Sequence, residues 1–205
     1  MPKGSEELTA TRKEEIINAC ERLYQTMSFK EITLKEIGNE TSFTRTSIYN
    51  YFQTKEEIFL ALFEREYVRW NESLKSILDG NKKLGKNKLA KALAESIADR
   101  QQLLKLLSMN NFDMEENSRP ELLVSFKHAY GESLENMRKI LRKFCPDMTA
   151  QDIKNFMYIF FPFMFGIYPY TSVTDKQKEA MQQADVDFVY QSVYEITNNC
   201  LLKLL

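Results

Sequence analysis

The feature that most constrains the fold is a helix-capping signal that recurs along the chain. A Ser or Thr followed three residues later by an acid or amide can satisfy reciprocal backbone N–H groups at a helix start. Each occurrence opens a run of apolar residues at helical spacing. The occurrences are Thr11/Glu14, Thr33/Glu36, Thr54/Glu57, Ser118/Glu121, Thr149/Asp152 and Thr174/Gln177. Because no convincing strand pattern accompanies them, the chain is predicted to be all-α.

The composition agrees with this prediction. Six Gly and five Pro among 205 residues leave few helix breakers, and residues with high helix propensity are common. Hydrophobic residues at 43% and charged residues at 28% are ordinary for a folded domain, and the length suffices for one large or two modest domains. We expect helices near 9–28, 33–40, 44–51, 55–79, 87–109, 119–144, 150–168, 175–183 and 186–204.

Several classes of site and of protein are disfavoured. The three cysteines, Cys20, Cys145 and Cys200, are far apart and have one histidine, His128, to cooperate with, so neither a disulfide framework nor a zinc site is expected. Acids at 113, 115 and 116 are read as solvated rather than metal-binding. No glycine-rich loop follows a strand. We predict no metal, no cofactor and no enzymatic activity.

The chain carries no targeting signal that we recognise. Its first residues contain no apolar segment of the signal-peptide kind. The longest apolar stretch, 156–168, has thirteen residues and is too short to span a bilayer. Reduced, buried thiols are typical of a reducing compartment. A cytoplasmic protein without a membrane partner is the expectation.

The most informative stretch is 33–52. Its apolar residues are spaced to bury one face of two short helices joined by a tight turn; these residues are Leu34, Ile37, Phe43, Ile48 and Phe52. Thr44 is a plausible N-cap for the second helix, which leaves the N-terminal end of that helix exposed. A recognition helix presents this end to base edges in the major groove. The net charge of −1 says little about nucleic acid, but 41–55 contains Arg45 and Lys55 and no acid. We therefore predict a helix-turn-helix that binds double-stranded DNA.

Residues 10–62 resemble the DNA-binding domain of the tetracycline-repressor (TetR) family. The shared features are Thr-x-x-x-Ile-Gly at 33–38, Thr-x-x-Ser-Ile-Tyr-x-Tyr-Phe at 44–52 and Lys-Glu-Glu-Ile at 55–58. The preceding helix also fits, through Arg12, Ile16, Ala19 and Phe29. One position departs from the pattern. Ser42 stands in the turn where the family usually carries Gly, which tolerates a positive φ.

The resemblance implies a helix-turn-helix domain at 1–55 and a helical ligand-binding and dimerisation domain at 56–205. It implies base contacts from Lys35, Arg45, Thr46, Ser47 and Tyr49. It implies phosphate-backbone contacts from Thr33, Asn50, Tyr51, Thr54 and Lys55. The residues alone leave an alternative open for Tyr49 and Tyr51, which could instead pack within the domain.

The helix near 150–168 and the last helix each carry apolar residues on two faces, which indicates burial on two sides. We therefore predict a homodimer whose interface includes Ile153, Met157, Met164, Val189, Val193 and Ile196. Pro162 removes a helical hydrogen bond, and a kink among aromatic side chains can open an apolar pocket. The predicted pocket, for which ordinary core is the alternative, includes Trp70, Phe112, Phe126, Tyr130, Phe156, Phe160 and Phe163.

The predicted function is that of a repressor that leaves a palindromic operator when a small apolar effector binds the C-terminal domain. The alternative is a helical protein-interaction module of the same fold that does not bind DNA specifically. Arg45, Thr46 and Lys55 favour the first function. The acids of the first helix favour the second; they are Glu6, Glu7, Glu14 and Glu15.

Overall fold

The computed structural model describes residues 3–109 and 111–205, and within these residues the regular structure is entirely helical. The structure does not describe the side chains of residues 3–5, Arg45 and Asn111. The all-α prediction is confirmed. The helices are α1 (Lys3–Thr26), α2 (Leu34–Asn39), α3 (Arg45–Ile48), α4 (Lys55–Gly80), α5 (Lys86–Ala98), α6 (Gln101–Leu107), α7 (Asn111–Glu116), α8 (Pro120–Phe144), α9 (Ala150–Thr171), α10 (Asp175–Gln183) and α11 (Val193–Leu204).

The capping signals locate several of these helix starts. Thr149 and Thr174 form reciprocal capping boxes at α9 and α10, and the Thr33 hydroxyl accepts from the first backbone N–H groups of α2. Two signals are wrong. Thr11 lies inside α1 and its hydroxyl donates to the Glu7 carbonyl at 2.9 Å, an interaction common for Thr within helices. α8 begins at Pro120 rather than after Ser118, because a proline needs no hydrogen-bond acceptor in a first turn.

Two other boundaries differ from the sequence prediction. The helix expected over 87–109 is interrupted at Arg100, whose backbone (φ −117, ψ 46) is not helical. The last helix begins at Val193 instead of near 186, because Ser192 and Glu195 form a capping box there. Asp185, with φ 52, lies just before the irregular segment that separates α10 from α11.

The chain divides into two compact units. Unit 1 comprises the described parts of 1–65 and 110–128, and unit 2 comprises those of 66–109 and 129–205. α4 and α8 each contribute residues to both units. The core of unit 1 buries apolar side chains of α1 to α4, among them Ile16, Cys20, Ile37, Ile48 and Phe59. In unit 2, α5 and α9 pack on α11.

α9 continues as one helix through Pro162 and Pro169. Pro162 lacks the N–H that would donate to the Tyr158 carbonyl, so one intrahelical hydrogen bond is missing. No single helix within the described residues is long and apolar enough to cross a membrane, and α9 with α10 passes such a test only as a pair bent by 83°.

Candidate nucleic-acid interface

The exposed face of unit 1 that carries the predicted DNA contacts is built on α2 and α3. Thr33 caps α2, and Ile37 and Gly38 are buried behind it. α3 is a single turn, Arg45–Ile48, preceded by Thr44 in extended backbone (φ −70, ψ 152). Ile48 and Phe52 are buried under this turn. Burial of that one face leaves the opposite face of α3 in solvent.

The predicted base-contacting residues lie on this exposed face. Lys35 and Thr46 are exposed, and Tyr49 has 47% of its surface accessible. Ser47 is half-buried, with its hydroxyl 3.1 Å from that of Thr44. Thr44 occupies the predicted N-cap position, but its side chain makes no hydrogen bond to the backbone of α3. The Arg45 backbone opens α3, whereas its side chain lies outside the described residues.

The turn between α2 and α3 is tied to α1. The Ser42 N–H donates to Glu15 Oε1 at 2.5 Å, and the Ser42 hydroxyl accepts from Arg12 Nη1 at 2.9 Å. Hydrogen bonding from the backbone and the side chain of Ser42 holds the pKa of the Glu15 carboxyl below its usual range. Ser42 has no positive φ, since Asp185 is the one non-glycine residue with a positive φ in the described chain. Serine therefore replaces the usual glycine without left-handed backbone.

The predicted phosphate contacts divide into two groups. Thr33 and Asn50 are exposed. Three others make contacts within unit 1, and the phosphate contacts predicted for them stay predictions; they are Tyr51, Thr54 and Lys55.

The most engaged of the three is Lys55, whose ammonium donates to the carbonyls of Phe29 at 2.8 Å and Ile32 at 3.1 Å. It also lies 4.2 Å from the centre of the Phe29 ring. Two of its three N–H groups are thus used to fasten the start of α4 to the segment between α1 and α2. Because those partners are more than twenty residues away along the chain, the sequence pattern alone did not indicate them.

Thr54 and Tyr51 also make contacts within unit 1. The Thr54 hydroxyl donates to the Asn117 carbonyl at 2.9 Å and accepts from the Glu57 N–H at 3.1 Å. The Tyr51 ring is half-buried, 6.3 Å from that of Phe43, and the Tyr51 carbonyl accepts from Arg119 Nη2 at 3.1 Å. Both residues therefore stabilise the connection from α3 to α4.

Sequence reasoning missed Arg119 and the full role of Glu57. The Glu57 side chain has 1% of its surface accessible and pairs with Arg119 at 2.7 Å. Burial raises the pKa of this carboxyl, but hydrogen bonds from Arg119 and Gln53 outweigh burial and leave the pKa below its usual range. The Thr54/Glu57 capping signal pointed to Glu57, whereas no local pattern distinguishes Arg119 from other surface cations.

Most of the predicted pocket residues lie in one aromatic cluster of unit 2. Trp70, Phe156 and Phe160 are buried, and Tyr130 and Phe163 are half-buried. Phe161, which the sequence analysis did not select, joins the cluster: its ring is 5.8 Å from Trp70, 6.1 Å from Tyr130 and 6.1 Å from Phe160. The Trp70 indole donates to the buried Ser96 hydroxyl at 3.2 Å.

Two predicted pocket residues belong to unit 1 instead. Phe112 is 81% exposed, and Phe126 packs against Phe63 with ring centres 4.9 Å apart. Two open cavities of unit 2 lie mostly outside this cluster. One of about 580 Å³ has Lys86, Cys145 and Phe156 in its wall. An apolar groove of about 320 Å³ is lined by Pro169, Tyr170, Val173, Gln177, Ala180, Met181, Phe188 and Tyr190. Across the part of the chain that is described, no cluster of His, Cys, Asp or Glu suits a metal ion.

The residues predicted for a dimer interface are mostly internal. Ile153, Met157, Met164 and Val193 are buried within unit 2, and Ile196 is half-buried. Val189 is 75% exposed but lies outside α11. The opposite face of α9 is exposed and largely apolar. We call it the α9 stripe, formed by Tyr158, Ile159, Pro162, Phe165, Pro169 and Tyr170.

A compact N-terminal helical unit that leaves the second helix of a helix-turn-helix exposed is the arrangement of DNA-binding regulators. Comparison with known proteins gives the same class. Residues 16–62 match the tetR family of bacterial regulatory proteins, and residues 64–190 match the tetracyclin repressor-like C-terminal domain. The chain belongs to the TetR family of DNA-binding transcription regulators, as the resemblance of residues 10–62 predicted.

Individual relatives agree with this assignment. Over 63 residues the chain is 32% identical to YfiR of Bacillus subtilis, an uncharacterized HTH-type transcriptional regulator; the match covers 31% of each protein, so it spans about a third of that relative's length. Among solved structures, a TetR-family regulator from Mesorhizobium loti aligns with a TM-score of 0.63 at 16% identity, over 96% of this chain and 97% of that one. FadR from Bacillus subtilis, in complex with stearoyl-CoA, aligns with a TM-score of 0.59 at 16% identity, over 93% and 96%.

A third solved structure has the same fold. FadR from Thermus thermophilus, a repressor in complex with lauroyl-CoA, aligns with a TM-score of 0.52 at 18% identity, over 88% of this chain and 97% of that one.

Proposed function

We propose that this regulator is a homodimeric repressor that binds a palindromic DNA operator and releases it when a small, mostly apolar molecule binds the C-terminal domain. The observation that carries the proposal is the exposed face of α2 and α3. Lys35, Thr46 and Tyr49 are accessible there, whereas Ile37 and Ile48 hold the same two helices to the core.

In this proposal residues 1–55 read DNA and 56–205 bind the effector and dimerise. The bases are contacted by Lys35, Arg45, Thr46, Ser47 and Tyr49, because Arg, Lys and hydroxyl groups match the hydrogen-bonding edges of base pairs. Thr33 and Asn50 contact the phosphate backbone of the DNA beside these bases. Phosphate contacts fix the register, and base contacts give specificity.

The first experiment selects bound sites from random double-stranded DNA and compares the selected operator with random DNA. Arg45→Ala is expected to weaken operator binding by about 1–3 kcal/mol and to relax selectivity at one base position. Arg142→Ala is the matched control, since this arginine is exposed on α8 within unit 2. An equal loss on operator and random DNA for Arg45→Ala would show that Arg45 reads no base.

A salt titration separates this function from that of a protein-interaction module. The acids Glu6, Glu7 and Glu14 on α1 are exposed, which is the observation that favours the module. Regulators that neutralise phosphates lose affinity steeply as salt rises, because bound counterions are released. Absence of selected sites, together with negligible binding at low salt, would favour the module.

We further propose that the homodimer forms through the α9 stripe. Contiguous exposed apolar surface is typical of interaction sites, and a two-fold interface would pair this helix with its copy. The two recognition helices of such a dimer read half-sites about one DNA turn, ~34 Å, apart. The operator is therefore expected to be an inverted repeat with that spacing. A monomeric mass in solution and binding to a single half-site would contradict the homodimer.

For the effector, unit 2 supplies the aromatic cluster around Trp70 and an apolar groove of about 320 Å³, near the lower end of ligand-pocket volumes. The groove shares Pro169 and Tyr170 with the α9 stripe, so it would lie beside the dimer interface. Two FadR proteins of the same fold are solved with stearoyl-CoA and lauroyl-CoA. Long-chain acyl-CoA esters are therefore the first molecules to test, with the acyl chain as the apolar part that unit 2 would bind and the charged coenzyme A part outside it. Titration of each ester against operator-bound protein is expected to release DNA, with coenzyme A as control. Release by coenzyme A alone would contradict an apolar effector.

A further inference from the structure

The start of α8 is bonded to the chain segment that follows the recognition helix, and both lie in unit 1. Arg119, the residue before α8, donates through Nε to Glu57 Oε1 at 2.7 Å and through Nη2 to Glu57 Oε2 at 3.0 Å. The same Nη2 donates to the Tyr51 carbonyl at 3.1 Å. The Arg119 backbone N–H also donates to Glu57 Oε1, at 3.2 Å. We call this arrangement the Arg119 brace.

Further hydrogen bonds hold the chain segment after the recognition helix close to the buried Glu57 carboxylate. The Gln53 N–H donates to Glu57 Oε2 at 2.7 Å, and the Thr54 hydroxyl reaches the Asn117 carbonyl. Forked Arg–carboxylate pairs are short, directional and about twice as strong as neutral hydrogen bonds. Residues 51–57 are thus held from one side by residues 117–119.

The position of α3 depends on such anchors. α3 has four residues, and so short a helix has negligible stability of its own. On its N-terminal side, the turn at Ser42 is tied to Glu15 and Arg12 of α1. On its C-terminal side, the Tyr51 carbonyl is tied to Arg119. The second anchor is supplied by the start of α8, a helix whose residues 129–144 belong to unit 2.

We propose that Arg119 is a positioning residue for DNA recognition, and that operator affinity depends on the Arg119 brace holding the C-terminal end of the recognition segment. This inference rests on the proposed function, because it concerns the same DNA-reading face. Arg119 itself need not touch DNA: it acts through the Tyr51 carbonyl and the Glu57 carboxylate.

Three variants of the full chain test the inference. Arg119→Ala removes the brace. Arg119→Lys keeps a cation beside Glu57, but an ammonium lacks the planar fork that serves carboxylate and carbonyl together. Lys127→Ala is the matched control, because Lys127 is also on α8 in unit 1 and forms an ion pair with Glu115 at 2.5 Å, away from residues 51–57. Measurements are affinity for the selected operator and for random DNA, thermal unfolding, and amide hydrogen exchange of a peptide covering 49–57.

Arg119→Lys is expected to unfold close to the wild-type temperature. Its operator affinity is expected to fall about tenfold, which is within the usual range of coupling between sites. The backbone amides of residues 49–57 are expected to exchange faster than in wild type. Affinity for random DNA is expected to stay unchanged, and Lys127→Ala is expected to behave as wild type. Should Arg119→Ala fail to fold, Arg119→Lys decides alone. Wild-type operator affinity in Arg119→Lys would overturn the brace. Failure of the wild-type chain to select any DNA would instead overturn the proposed function.

Discussion

At the residue scale, the ammonium group of Lys55 lies between two backbone carbonyls and above an aromatic ring. Its ammonium is held by Phe29 and Ile32 within unit 1, so its loss removes charged hydrogen bonds from a half-buried position. We expect Lys55→Ala to lower the free energy of unfolding by about 1–3 kcal/mol. Thermal unfolding measures this change, and Lys30→Ala, at an exposed lysine of the same unit, is the control.

The salt dependence of DNA binding distinguishes this structural role from the phosphate contact that the sequence indicated. A lost phosphate contact reduces the slope of log affinity against log salt by about one. Lys55→Ala is expected to leave that slope unchanged. A reduced slope at an unchanged unfolding temperature would show that Lys55 contacts a DNA phosphate.

The Glu57 carboxyl makes the stability of unit 1 sensitive to acid. Burial raises its pKa, but hydrogen bonds from Arg119 and Gln53 lower it by more, so the net shift is downward. A lowered folded-state pKa contributes stability above the ordinary glutamate pKa of about 4.3, and this contribution disappears as the pH falls through the folded value. Glu57→Gln is therefore expected to be less stable than wild type at neutral pH, with a difference that shrinks below about pH 4.

Urea unfolding at a series of pH values measures this difference. Glu64→Gln is the control, because Glu64 accepts a hydrogen bond from Ser125 near the solvent rather than a buried ion pair. A Glu57→Gln deficit that stays constant from neutral pH to pH 3 would show that the Arg119–Glu57 charge pair contributes no stability.

At the scale of elements, the sequence located helices where a cap and an apolar face agreed. α9 and α10 begin at their capping boxes. The start of α11 at Val193, after the Ser192 cap, was missed because Val186, Val189 and Tyr190 continue a helical spacing that the backbone does not follow. The break at Arg100 carries neither Gly nor Pro, so no local signal announces it.

The same contrast applies to the site. The exposed face of α3 follows from its buried face, which is a local property of the sequence. The bonds of Tyr51 to Arg119 and of Thr54 to Asn117 join residues more than sixty positions apart. Their geometry depends on the packing of whole helices, so local patterns could not indicate that the Tyr51 carbonyl and the Thr54 hydroxyl have partners within the chain.

The α9 stripe gives a prediction for assembly. Phe165 is 43% exposed at the centre of the stripe, and a charge there would be desolvated in a dimer without a partner. Phe165→Glu is expected to yield a folded monomer by light scattering at micromolar concentration. Val124→Glu, at a 56% exposed residue of unit 1, is expected to stay dimeric.

A substitution at Val193 is expected to affect stability rather than assembly. This residue is 8% exposed within unit 2, so Val193→Asp places an unpaired charge in the core and lowers stability. A dimeric Phe165→Glu variant, or a well-folded monomeric Val193→Asp variant, would contradict the α9 stripe. Either result would favour the interface residues predicted from the sequence.

At the scale of the whole molecule, effector and operator are expected to bind different units. Residues 55–65 of α4 belong to unit 1 and 66–80 to unit 2, and α8 is divided in the same way. An effector changes operator affinity only if it binds two conformations with different affinities. Coupling between two sites is reciprocal, so operator DNA must weaken effector binding by the same factor by which the effector weakens operator binding.

Trp70 reports on this coupling because it is the single tryptophan of the chain. It is fully buried on α4, with its indole N–H bonded to Ser96. An effector found by operator release is expected to change Trp70 emission, since its aromatic surroundings in unit 2 form part of the predicted binding region. Fluorescence titrations with and without operator DNA give the effector affinity in each state. Weakening of effector binding that never saturates as operator concentration rises, at fixed salt and temperature, would show that effector and DNA compete for one site. Equal factors with unchanged Trp70 emission would place the effector away from the aromatic cluster.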